Sequence, residues 1–171
     1  MVLNGLWLVT VQFLSVWATV VCIILLLAAL VITYLRAVRT REPADGWLDG
    51  ILIDVVTGLH LGWVALATVA NIAAALTATV PADWESAASV VGVIVLIVIV
   101  VAAVALGISA SGGWRIAPVL SIAWGLGWLA VARLLGDLVD VPIGITAIIV
   151  AVIVIIVPVV GRLMRERTLA D

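Results

Sequence analysis

The chain's one histidine, His60, stands in GLHLGWVALATVAN, Gly58 to Asn71, a stretch that gathers most of the groups able to do chemistry inside an apolar chain. An imidazole there can ligate a metal or hydrogen-bond an anionic group, or satisfy itself against the carbonyl of a neighbouring helix. Asn71 lies about three turns further along the same face. Its amide is costly to leave unpaired in lipid, so it bonds a neighbouring helix or a ligand. At about 100° per residue, Thr57, His60, Val64, Ala67, Thr68 and Asn71 share one side of a helix. Gly58, Gly62 and Ala65 lie roughly opposite, where two glycines one turn apart permit close backbone approach to another helix or another subunit.

Tryptophan is the second notable residue type, with eight in 171 residues. Trp47, Trp84 and Trp114 fall in expected loops at the membrane interface, where the amphipathic indole normally sits. Trp63, Trp124 and Trp128 fall inside apolar runs, the first and second about 12–16 Å from one membrane face at 1.5 Å per residue. Trp124 and Trp128, four residues apart, share a face. Such indoles either stack a flat ligand or fill the core of a helix bundle.

Catalysis has little to stand on. One histidine, one cysteine (Cys22, in an apolar run) and Asp54 at a helix end assemble neither a carboxylate pair, nor a metal cluster, nor an activated nucleophile. The chain is therefore read as a non-enzyme with no required cofactor. The net charge of −2 speaks against a nucleic-acid partner. All eight basic residues are arginine, and that bias, with abundant Ala, Val and Gly, suggests a GC-rich prokaryotic genome.

The elements that must position these groups are membrane spans. The chain is 67% hydrophobic, with a mean hydropathy of +1.45, and several runs reach the roughly 18–20 residues a bilayer crossing needs. The fold class expected is all-α, a polytopic integral membrane helix bundle in one domain, with the lipid bilayer as its partner. Leu3 to Leu35 is too long for one span and too short for two, which predicts a break near Gln12 to Ser15. The expectation is a partial N-terminal span at about 3–14 and five full ones at about 16–35, 52–80, 88–109, 116–135 and 142–160, then a tail at 161–171. A chain opening partway through a span suggests truncation at its N-terminus. The third and fifth full spans, almost uniformly Val, Ile and Ala, are placed at the lipid-facing edge, and the second and fourth in the middle.

With five alternating spans, Arg36, Arg39, Arg41, Arg115, Arg162, Arg165 and Arg167 fall on one side, and Asp83, Glu85, Asp137 and Asp140 on the other. The positive-inside rule then puts the C-terminus in the cytoplasm of a plasma-membrane protein. Arg133 and Asp137, four residues apart near the outer face, fit a local ion pair. Val31 to Arg36, VITYLR, fits the loose sterol-contact pattern, which often occurs by chance at membrane boundaries.

Gly62-Trp63, Ala67-Thr68 and Ala70-Asn71 together resemble the signature helix of the TspO/MBR family, the tryptophan-rich sensory proteins related to the mitochondrial translocator. Leu3 to Trp7 (LNGLW) is similar to the Leu-Asn-x-x-Trp of an earlier helix of the family, and Ala123 to Trp128 (AWGLGW) to a later segment of its longer prokaryotic members. Val56, Thr57 and His60 stand where those members usually carry Pro-Phe and a tyrosine. The family's first two helices have no counterpart in this chain. The resemblance implies capture of a planar hydrophobic ligand, a porphyrin or other tetrapyrrole, in a pocket between helices. His60, Trp63, Thr68 and Asn71 would form one wall, Trp124 and Trp128 the other, with Gly58 and Gly62 in helix packing and a homodimer as one arrangement. The alternatives are a small transporter or permease component for a hydrophobic solute, using Asp54, and a truncated, non-binding member.

Overall fold

The computed structural model describes residues 2–40, 48, 51, 55–79, 89–97 and 116–168, and every regular element among them is helical. In chain order these are α1 (Val2–Phe13), α2 (Val16–Thr40), α3 (Val56–Thr79), α4 (89–97), α5 (Ala117–Leu135) and α6 (Val141–Thr168). Four of them, α2, α3, α5 and α6, are long and apolar enough to cross a membrane. That corrects the expectation of five full spans among the described residues. Of the expected span at 88–109 only 89–97 is described. Trp47, Trp84, Trp114, Asp54, Asp83, Glu85, Arg41 and Arg115 also lie outside the described residues.

The break falls where the length argument requires it. α1 ends at Phe13 and α2 begins at Val16, with the Ser15 hydroxyl accepting from the Ala18 N–H at 3.3 Å as an N-cap. At 12 residues, α1 is only about 18 Å long and crosses part of a bilayer. At the other end of the chain the expected tail is not a separate segment, because α6 continues as helix to Thr168. Pro158, buried within α6, has no N–H to give the carbonyl of Val154.

The helices pack mainly in chain order. α1 lies on α2, α2 on α3, α3 on α5 and α5 on α6, so α3 is gripped from both sides. On one flank, Ile23 and Leu26 of α2 cluster with Val64 of α3, and Leu3, Trp7, Leu27, Leu30 and Ala67 pack around them. On the other, Val119, Ile122, Leu126 and Ala130 of α5 interlock with Ala147, Val150 and Val154 of α6 and Leu96 of α4. The association of such helices in lipid rests on close packing and hydrogen bonds more than on water exclusion.

The α5–α6 connection is ordered by polar contacts. The Asp140 carboxylate accepts from the Ile143 N–H at 3.0 Å and from the Ser89 hydroxyl at 3.1 Å, capping α6 and tying α4 to it. The Asp140 N–H donates to the Arg133 carbonyl at 2.9 Å. Arg133 does not take the expected local ion pair; its guanidinium donates to the Leu138 carbonyl at 3.3 Å. Cys22 is buried and free, consistent with a small core residue. Tyr34 is buried too, which removes the ring of VITYLR from the lipid surface a sterol would need.

Candidate functional site

α3 turns two different faces to its two neighbours. The glycine face meets α5 with almost no side chain between the backbones. A Cβ on Gly62 would run into the Pro118 carbonyl group, 2.8 Å from its carbon, and one on Gly58 would lie 2.9 Å from Pro118 Cδ and 3.0 Å from Ala117 Cβ. The packing role read from the Gly58–Gly62 pair is what the geometry has. Proline fits there because the first turn of α5 needs no N–H from it.

The polar face looks the other way. Val64 and Ala67 pack into the α1–α2 cluster. His60 and Asn71 flank them at one-turn spacing on the same face, both half-buried. This face is turned to protein, towards the junction of α1, α2 and α3. Thr68 is buried, and its hydroxyl donates to the Val64 carbonyl at 2.7 Å. Asn71 Nδ2 donates to the Ala67 carbonyl at 2.8 Å. The expected interhelical hydrogen bond of Asn71 is therefore replaced by one within its own helix, which leaves its acceptor oxygen uncommitted.

The tryptophans are not where a two-walled pocket needs them. Trp63, Trp124 and Trp128 are 52%, 64% and 58% exposed. Trp124 and Trp128 meet edge to face, centroids 6.0 Å apart at 77°, on the outer surface of α5. The physical reason is competition for the inner arc of α5. Ala117, Pro118 and Gly125 occupy the side towards α3, and Val119, Ile122, Leu126 and Ala130 the side towards α6. An indole cannot fit where Gly62 rests on a backbone carbonyl, so the bulky rings take the arc that remains. Trp63 lies beside the α3–α5 contact, since a Cβ on Gly125 would lie 3.9 Å from its ring. The expected second wall of Trp124 and Trp128 is thus an outward aromatic face, separate from the His60 side of α3.

Trp7 is an aromatic residue of the cluster that Val64 and Ala67 join. Its ring packs with Leu3 against Ile23, Leu26 and Val64, and its Nε1 is buried without a hydrogen-bond partner. Trp7 is not among the residues the sequence analysis places at the site. The signal was the Leu3-Asn-x-x-Trp7 motif. A model of the TSPO-like protein family matches residues 1–160. The chain belongs to the TSPO-like family. No curated protein and no solved structure matches this TSPO-like chain. Membership and four helices apolar enough to span a bilayer make it a membrane protein.

Proposed function

We propose that this TSPO-like protein captures a planar hydrophobic molecule of the porphyrin or tetrapyrrole class, without covalent chemistry, at the junction of α1, α2 and α3. The observation that carries the reading is the polar face of α3, which is turned to the helix cluster that also holds the partly buried Trp7 indole, in a chain of this family. His60 and Asn71 would meet the polar rim of the ligand, and Trp7 and the aliphatic side chains of α2 its flat face. Thr68 serves the helix more than the ligand, because its proton is committed to Val64. The protein would sit in the plasma membrane with the end of α6 on the cytoplasmic side, as the arginine distribution suggests.

Titration of the purified protein with free-base protoporphyrin should quench tryptophan emission saturably. His60→Leu and Asn71→Leu should each weaken binding about tenfold, or about 1.4 kcal/mol. Quenching that rises linearly, or the same saturation curve in both variants, would sink the proposal. Uptake of a hydrophobic solute into sealed vesicles that depends on an ion gradient and on Asp54 would favour a transporter instead.

A further inference from the structure

Trp7 carries a hydrogen-bond donor that nothing in the protein uses. Its Nε1 is sealed from the surface and unpartnered, while the ring is held against the same cluster as Val64 and Ala67. An unmade hydrogen bond at a buried donor costs about 1–3 kcal/mol, and the hydrocarbon region offers no water to relieve it. No polar side chain of the described residues accepts from it. The Thr10 hydroxyl donates to the Trp7 carbonyl at 2.7 Å, Thr68 to Val64, and Asn71 to Ala67. An indole N–H can only donate, so an acceptor alone complements it.

We infer that Trp7 is a specificity-determining residue that reads an acceptor oxygen, a carboxylate or carbonyl, on the bound ligand. The inference rests on the binding reading above and narrows its ligand class to planar molecules carrying such an oxygen. A ligand with the oxygen satisfies a donor that the fold leaves buried. An all-hydrocarbon analogue of the same shape leaves that donor unpaired, and the difference is lost affinity.

The test compares protoporphyrin IX, with its two propionates, against etioporphyrin, which has alkyl groups in their place. It uses the full chain in nanodiscs and its Trp7→Phe variant. The unaltered protein should prefer protoporphyrin by at least roughly tenfold, and Trp7→Phe should bring the two affinities within about twofold of each other. In parallel, the Trp7 indole N–H resonance, assigned by its loss in Trp7→Phe, should move downfield with protoporphyrin and stay in place with etioporphyrin. Equal affinities in the unaltered protein, a preference that survives in Trp7→Phe, or a resonance that ignores both ligands overturns the inference while leaving porphyrin binding intact. If neither porphyrin binds the unaltered protein, the functional reading falls and this inference falls with it.

Discussion

The two flanks of α3 are held by different kinds of contact. Towards α5 the fit is backbone on backbone, with Gly62 on the Pro118 carbonyl, and beyond it α5 and α6 bury residues such as Leu126 and Val154 completely. Towards α1 and α2 the fit is between side chains, mostly aliphatic, with a half-buried histidine, a half-buried asparagine and an unpaired indole N–H among them. The first flank buries one polar side chain, Ser121, and is otherwise apolar and closely packed. The second keeps polar groups where nothing in the protein uses them fully. On the proposed reading, stability rests on one side of the helix and recognition on the other, and substitutions on the two flanks should separate the two properties.

The largest effect is expected at Gly62. Its added side chain meets a main-chain carbonyl, which cannot rotate aside, so Gly62→Val must push α3 and α5 apart. A loss of roughly 3 kcal/mol, at the upper end for overpacking, should appear in denaturant-induced unfolding in detergent. Gly125→Ala is the control, because the atom it meets first is the end of the Leu66 side chain, which can move. Equal losses at the two positions would mean that the backbone contact is not what holds α5.

Asp140 comes next. Asp140→Ala removes the cap of α6 and its tie to Ser89 together, and should cost about 1–2 kcal/mol. Asp140→Asn keeps an acceptor oxygen and should recover most of it. Porphyrin affinity should be unchanged in both variants, since the clasp lies on the far side of α5 from the polar face of α3. A change in affinity that matches the change in stability would show that the two flanks are not independent.

Much of this arrangement was legible in the chain. Run lengths placed α2, α3, α5 and α6, and the excess length of Leu3 to Leu35 placed the break before Val16. The Gly58–Gly62 spacing gave the close helix contact, because only glycine leaves that space. What could not be read was which arc of α5 faces inward. In water an inward arc is apolar and an outward one polar. In lipid both are apolar, and the distinction lies in size, which lets the backbones close up. Pro118 and Gly125 held that information, but Trp124 and Trp128, larger and rarer, drew the reading to the wrong arc. Trp7 was passed over for the opposite reason, since only tertiary burial turns an ordinary interfacial indole into an unpaired donor.

The smallest expected effect therefore falls on the residues that look most functional. Trp124 and Trp128 touch each other edge to face, an arrangement worth about 0.5–1.5 kcal/mol beyond area burial where it is fully packed. Both rings are more than half exposed on the outside of α5, so much less than that should be lost on substitution. Trp124→Leu keeps an apolar surface for the acyl chains and leaves the Gly62–Pro118 contact untouched. Its unfolding should stay within about 0.5 kcal/mol of the parent, as for other surface changes, and its protoporphyrin affinity within about twofold once the quenching signal of the missing indole is corrected for. Absorbance titration at the Soret band avoids that correction. A tenfold loss of affinity in Trp124→Leu, with His60→Leu unaffected, would move the ligand from the junction beside α2 to the outer aromatic face of Trp124 and Trp128. Recognition would then lie on the same flank as the glycine contact, and the division between the two sides of α3 would be gone.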